Sequence, residues 1–472
     1  MQITRLAFAS QIALTTALIA EPDGGLVATQ GALSFAYAYG YGFLSYGDLV
    51  RPVVNATPNV IYHSRDLSKG GPVGVTRPNS DTLYSTTFID LSSSDLILAI
   101  PEIRDRYWIF PFYDPYGNNI ANIGSITNNS AGNYLVRYDD TNPGVQYTGV
   151  RGAFKAYINL PTAYSLSFTR ILVQHNEEDA ARVHAIQDQF NLTERDRYSR
   201  PIAPPLNLSI WNDPNYRTGA APLNLTAAQA ALNLTAKLAE FNLPIVQYDR
   251  SWVNATLARA GIANGRWVQP NGTNLTAAVA TADASNAALL SQPGFTLDFG
   301  NNWTAKDAKI IGVYNSFYQV RYSVAKGGYL ALTKEQATYP VTPAVTLLGN
   351  QSLLLSFSAR PRITSGGFWS LTAYGGDNYL IPNALDRYSL GDRSNLTFPD
   401  GRSLATGPDG LFQILMQAAD VAPPSNWTNN WLPTTAGGGY LSYNLRWYGA
   451  EESMTNGSYV YPKATIIEAL RT

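Results

Sequence analysis

Between residues 83 and 174 the chain passes through five blocks, LYSTTFIDL, LILAIP, RYWIFPFYD, NYLVRYD and YSLSFTRILVQ. In each, β-branched and aromatic residues stand between clusters of Ser, Asp, Asn and Gly. Such residues fit a pleated, partly buried surface, so the region is predicted to be all-β. The period then changes. Residues 176–191 (NEEDAARVHAIQDQFN) open on Asn and acids and carry apolar residues at helical spacing, which predicts a capped helix. Residues 201–222 read as loop, 227–260 and 275–290 as Ala-rich helical segments, and 306–331 as an amphipathic helix closed by Gly327-Gly328. Strands resume at LLLSFS, FWSLTAY, LFQILMQ and YLSYNLRWY. Upstream, residues 33–49 are apolar and aromatic without alternation and are read as a buried helix, although its glycines weigh against helix formation.

The order β, α, β predicts a mixed, mainly β fold: two β-sandwich-like (jelly-roll-like) domains joined by a helical segment. The predicted boundaries are a signal peptide at 1–20, an N-terminal β-rich domain at 21–175, a helical connector at 176–335 and a C-terminal β-sandwich domain at 336–472. A chain of 472 residues is too long for one core, which stops growing at roughly 250–300 residues.

Composition narrows the function. Lys and Arg number 33 against 34 Asp and Glu, so no overall positive field exists to hold nucleic acid. With no cysteine, thiol catalysis, disulfides, zinc–thiolate sites and iron–sulfur clusters are excluded. The start MQITRLAFASQIALTTALIA has one basic residue, an apolar run and small residues before a polar turn, the pattern of a secretory signal peptide. Cleavage is expected near Ala20, with Ala17 as an alternative; an anchor helix would need about 20 apolar residues, more than this run supplies. Fourteen Asn-x-Ser/Thr sequons follow, roughly double the chance expectation. Glycosylation is expected at Asn128, Asn191, Asn207, Asn224, Asn233, Asn254, Asn271, Asn274, Asn302, Asn350, Asn395, Asn426 and Asn456. Asn55 is set aside because Pro58 follows its Thr57. The expected location is extracellular, with no membrane association after signal removal.

Phosphate-binding, zinc-protease and serine-hydrolase fingerprints are absent, and His63, His175 and His184 do not have the spacing of a metal pair. No cofactor and no metal are expected. What remains is Asp, Arg, Tyr and Asn beside strands. Asn79, Asp81 and Tyr84 stand at the mouth of one strand, Arg106-Tyr107 before another, and Tyr113-Asp114 where a strand enters a polar turn. Trp369, Arg387, Asn430, Trp431 and Arg446-Trp447-Tyr448 repeat the theme in the C-terminal half. A carboxylate beside a tyrosine can act as base and acid, and Arg or Asn can hold an oxyanion. The same residue types equally cap loops, brace sheet edges or fill the core.

The string TRPNSDTLYSTTFIDLSSSDLILAIPEIRDRYWIFPFYDPYGNNIANIGS resembles the domain of unknown function 1254, with its Asn-x-Asp-Thr-x-Tyr segment followed by an Arg-Tyr strand. FWSLTAYGGDNYLIPNALDRYSLGDRS, then PDG, NNWLP and LRWYG, resembles its usual partner, the domain of unknown function 1214. The resemblance implies a β-rich N-terminal domain, helices and a C-terminal β-sandwich, and a secreted, fungal-like eukaryotic member given the sequons. It implies no reaction, but directs attention to Asn79, Asp81, Tyr84, Arg106, Arg387 and Asn430. Ser80 stands where relatives often carry a basic residue; if that base meets an acidic ligand, a neutral ligand is expected here.

The expectation is therefore a secreted glycoprotein acting as a cofactor-independent lyase, isomerase, cyclase or hydrolase on a carbohydrate or small metabolite. Asp81 would be the base, Tyr84 or Tyr113 the acid, Arg106 or Arg387 the anion clamp, and Asp114 part of the same group; Asn79, Trp369, Arg387, Asn430 and Trp431 would contact substrate. The alternative is a non-catalytic extracellular protein that binds carbohydrate or cell wall.

Overall fold

The computed structural model describes residues 26–72, 77–174, 177–197, 199–307 and 310–471. The predicted signal peptide, His175 and the start of the helix predicted at 176 lie outside them. Every strand block predicted from the sequence forms a strand. β1 (Ile61–His63), β2 (Thr82–Asp90), β9 (Tyr164–Leu172), β4 (Trp108–Tyr113) and β5 (Asn119–Gly124) form one sheet in that order. The second sheet runs β10 (Asn191–Asp196), β3 (Ser94–Ile100), β6 (Gly132–Tyr138), β8 (Phe154–Leu160) and β7 (Gly144–Gln146). Leu83, Ile89, Trp108, Phe110, Phe112 and Ile171 of the first sheet pack on Leu96, Leu98, Val136 and Ile158 of the second.

The first sheet is buried on its other face too, which is why β4 and most of β9 show no exposed positions. Phe88, Ile109, Tyr113 and Leu166 on that face join a core with Phe35, Phe43 and Tyr46 from the N-terminal helices and with Phe368 and Tyr448 from the C-terminal domain. Those helices are α1 (Leu26–Gly40) and α2 (Gly42–Val50), two elements where one was expected, separated at Tyr41. The later helices are α3 (Glu177–Gln187), α4 (Ala227–Leu238), α5 (Arg250–Arg259), α6 (Leu275–Leu290) and α7 (Tyr318–Gly328). Of the helix expected over 306–331, only Tyr318–Gly328 forms among the described residues, because Gly312 and Asn315 take positive φ and the Gly312 backbone abuts Leu332–Thr333. The helix expected over 176–191 ends at Gln187, and Asn191 instead opens β10, which extends along β3. Short hairpins, β11–β12 (Ile262–Ala263, Arg266–Trp267) and β13–β14 (Thr296–Asp298, Thr304–Lys306), decorate this layer.

The C-terminal sandwich stacks β15 (Ala337–Thr338), β22 (Gly438–Ala450), β18 (Ile363–Tyr374) and β19 (Ser389–Gly391), with β16 (Val345–Leu348) on β22, against a second sheet. That sheet is β21 (Trp431–Thr434), β20 (Phe412–Ala418), β17 (Gln351–Phe357) and β23 (Lys463–Glu468). Its core holds Trp303, Phe357, Trp369, Phe412 and Trp447. The fold is mixed and mainly β, with two β units. Among the described residues no helix is long and apolar enough to cross a membrane.

The domains meet through buried polar ties. Asp81, fully buried at the start of β2, accepts from Ser370 Oγ at 2.7 Å, Ser389 Oγ at 2.6 Å and Arg393 Nη2 at 2.5 Å, all in the C-terminal sandwich. Arg446 on β22 donates to Thr372 and Tyr374, each at 2.5 Å, and reaches back to the carbonyl of Arg77 at 3.3 Å. Within the N-terminal domain, Arg106 fastens α3 to the sheet by a two-pronged contact with Asp179 at 2.8 and 2.9 Å.

Two stability predictions follow from these pairs. Removing one partner of a buried ion pair strands the other, at a cost of about 3–5 kcal/mol. Asp81→Ala should lower the unfolding free energy by that amount in urea titration, and an unmoved midpoint would deny Asp81 its bracing role. For Asp179, burial raises the carboxyl pKa, but the Arg106 hydrogen bonds and the Gln174 N–H outweigh it and leave the group below its usual range. A folded pKa below the unfolded one adds stability above the unfolded value and loses it as the pH falls through the folded value. Asp179→Asn should therefore be less stable than the parent by about 3 kcal/mol at pH 7, with the gap narrowing once the pH drops below about 4. Urea curves at pH 7 and pH 3 measure this, and a gap that is constant with pH would contradict it.

Candidate functional site

Most of the residues singled out from sequence are engaged in holding the fold. Asp81 is the interdomain tie described above. Arg106 is paired with Asp179, and no other carboxylate pairs with it among the described residues. Asp114 is wrapped by the N–H groups of Tyr116 and Asn118 and by the Asn118 amide; burial raises its carboxyl pKa. Arg387 donates to the carbonyls of Thr428 and Trp431. Asn430 ties Thr397 to Gln413. Trp369 sits in the C-terminal core against Phe357, Phe412 and Trp447, and buried Trp431 donates its indole N–H to Gln417 O at 3.1 Å. Neither tryptophan forms a surface platform. His63 Nδ1 lies 2.8 Å from Ser85 Oγ, but Ser85 is 1% exposed within the sheet interior, so the pair offers no accessible nucleophile.

Asn79, Tyr84 and Tyr113 do converge, and the residue they surround is Arg170. It stands on β9 directly across from Tyr84 on β2 and Ile109 on β4, on the face turned toward the C-terminal domain. Arg170 is 8% exposed, and among the described residues no carboxylate pairs with it. Its Nη1 donates to the hydroxyl of Tyr339 at 3.2 Å, while its Nε is buried without a hydrogen-bond partner. The guanidinium lies 5.7 Å from the centre of the Tyr84 ring and 6.0 Å from that of Phe168, and these two rings stack 4.6 Å apart. The phenols of Tyr339, Tyr84, Tyr448 and Tyr113 are within electrostatic reach of it.

The walls come from several elements. Tyr107 packs on Phe368 and Tyr448 at 5.1 Å each, and its hydroxyl is buried and unpartnered. Asn79 Nδ2 donates to Tyr448 Oη at 2.9 Å, linking the Asp81 segment to the site. Tyr113 Oη donates to the carbonyl of Leu330, a buried branched residue held at φ 67. Such a backbone costs of order 1–3 kcal/mol and persists only where its surroundings impose it. Tyr84, Phe168 and Tyr339 are half-buried and are the most exposed of the aromatic residues around Arg170.

Arginine remains protonated at any working pH. Burial holds Tyr107, Tyr113 and Tyr448 above the ordinary phenol range, so the centre is one fixed cation among neutral hydroxyls. Such an arrangement can bind or stabilise an oxygen anion and offers hydroxyls for proton transfer. Sequence reasoning missed Arg170 and Tyr339. The available signal was a charged residue within the apolar block YSLSFTRILVQ, since buried charges are rare unless they meet a partner. Among the described residues no three His, Asp or Glu are placed to hold a metal.

The chain has matches to two families, one in each β region. No curated protein matches it. The crystal structure of the VPA0106 protein from Vibrio parahaemolyticus aligns with a TM-score of 0.61 and 19% identity, covering 93% of this chain and all of that one. An uncharacterised protein from Burkholderia cenocepacia aligns at a TM-score of 0.45 and 12% identity, over 99% of this chain and 98% of that one. Residues 58–194 match the family described as Protein of unknown function (DUF1254), and residues 343–452 match Protein of unknown function (DUF1214). The chain thus carries a DUF1254 region followed by a DUF1214 region, and the site around Arg170 is built from both.

Proposed function

We propose that this protein is an exported, N-glycosylated, fungal-like member of the paired families, and that its Arg170 site binds and converts a small oxygen-rich molecule by cofactor-independent Tyr/Arg chemistry. The reaction class remains that of a lyase, isomerase, cyclase or hydrolase. The observation that carries the reading is a buried guanidinium that, among the described residues, has no carboxylate and is faced by tyrosines from both domains. Unpaired buried charge is costly, and its retention is understandable where a ligand or transition state completes it. Arg170 takes the anion-holding role first considered for Arg106 and Arg387. Tyr84, beside it, is the proton donor, and Asp81 keeps the two domains in place. The exposed aromatic platform that a carbohydrate-binding module would need is not supplied by Trp369 or Trp431.

The sequons fit export. All of the sequon asparagines are exposed except Asn233, which is half-buried on α4 and donates its amide to Asn215 O at 2.8 Å. Its Thr235 is fully buried. Expression in a glycosylating host should show loss of one glycan's mass for Asn128→Gln and Asn395→Gln and no change for Asn233→Gln. A glycan found at Asn233, or none anywhere, would contradict this.

The functional test is to incubate the protein with a defined mixture of sugars, sugar acids and aromatic metabolites and follow depletion by mass spectrometry. Tyr84→Phe and Arg170→Gln should each reduce any turnover found by about 100-fold or more, as expected for loss of an acid or of an oxyanion donor. Turnover unaffected by both changes would remove the site from the reaction.

A further inference from the structure

We propose that the ligand of the Arg170 site is a small monocarboxylic acid, its carboxylate seated on Arg170 and its carbon skeleton lying against the Tyr84–Phe168 pair. The inference rests on reading this site as the functional one, and it names the ligand class.

Charge balance favours a monoanion. Three guanidiniums are buried where the domains meet, those of Arg170, Arg393 and Arg446. Asp81 contacts Arg393 at 2.5 Å and exerts its charge on Arg446, and Asp392 lies 3.9 Å from Arg393. Among the described residues neither Arg170 nor Arg446 makes an ion pair, but Arg446 has the Asp81 charge within electrostatic reach and Asp392 is partly open to solvent, so the uncompensated charge falls on Arg170. A neutral sugar would leave it uncompensated, and a phosphate dianion would overshoot it.

The donors suit a carboxylate as well. Arg170 Nε is unpartnered, and the Tyr107 hydroxyl is buried with its proton unused. Tyr339 accepts from Arg170 through its oxygen, so its own proton is free to donate outward. A planar fork flanked by two hydroxyl donors matches the two oxygens of a carboxylate, which guanidinium binds bidentately. The half-buried Tyr84 and Phe168 rings supply an apolar face suited to a ring or short hydrocarbon rather than a polyol.

The experiment is calorimetric titration of the purified chain with benzoate, cinnamate and hexanoate, set against benzamide, benzyl alcohol, glucose and inorganic phosphate. At least one carboxylate should bind while its neutral counterpart does not. Arg170→Gln should weaken that binding by about 100-fold, and Tyr107→Phe by about tenfold. If Arg170→Gln does not fold, Arg170→Lys keeps the charge without the fork and should still weaken the carboxylate by about tenfold. Preference for phosphate, or binding of a neutral probe that survives Arg170→Gln but is lost in Tyr84→Ala, would overturn the carboxylate while leaving the site in place. Carboxylate binding that ignores Arg170, Tyr107 and Tyr84 alike would overturn both the ligand class and the site.

Discussion

The first sheet of the N-terminal domain has no free face, and the rest of the molecule is arranged around that constraint. One side must meet the second sheet to make a sandwich, and the other must be covered by elements from outside the domain. Helices 26–50 and 227–259 cover one end of it, and the C-terminal β22–β18 sheet covers the other. Burial of apolar surface drives this assembly, because strands closed on both sides remove more area from water than strands with a solvated face. The cost is that any polar group on the covered face must find a partner there or carry an unsatisfied charge.

Asp81 and Arg170 answer that demand in opposite ways. Asp81 collects two serine hydroxyls and a guanidinium from the other domain, and is satisfied. Arg170, on the neighbouring strand, has a hydroxyl and aromatic faces but, among the described residues, no carboxylate. Exchange of Arg170 for an apolar side chain would relieve the desolvation of its charge, since well-packed hydrophobic residues commonly match or exceed buried ionic groups in stability. The proposed ligand would supply the countercharge that the fold leaves out.

Much of the fold was legible in the sequence because strands declare themselves by residue type. The blocks at LYSTTFIDL, RYWIFPFYD and YLSYNLRWY all form strands, and the mainly β fold with two β units follows from their order. The errors lie where local pattern was overruled by backbone geometry or by pairing. Residues 306–317 have helical periodicity but contain Gly312 and Asn315 at positive φ, and Asn191, placed at the end of a helix by the local pattern, begins an edge strand because β3 offers it a ladder. The site was only partly legible. Asn79, Tyr84 and Tyr113 could be found because they sit in motifs, whereas Tyr339 lies in a connection whose path depends on how the domains dock. The motif residues also carry two meanings that spacing cannot separate: in Asn79-Ser80-Asp81-Thr82-Leu83-Tyr84, Asp81 fastens and Tyr84 lines the site.

That double use explains why one short segment can both join domains and shape a site. Ser80 is 2% exposed, so its place between Asn79 and Asp81 is an interface position, and the neutral ligand expected from Ser80 stands against the carboxylate proposed from Arg170. Residues two apart in extended chain share a face, and Asn79 and Asp81 both turn to the C-terminal domain, Asn79 reaching Tyr448 and Asp81 reaching Ser389. Because Asn79 also accepts the Asp81 N–H at 2.6 Å, the two contacts are mechanically one. A shift in how the domains dock would move Tyr448 and Phe368, which belong to the core the domains share, relative to Arg170. The precision of the site therefore derives from the interdomain tie, and residues that never touch a ligand can be as necessary to it as those that do.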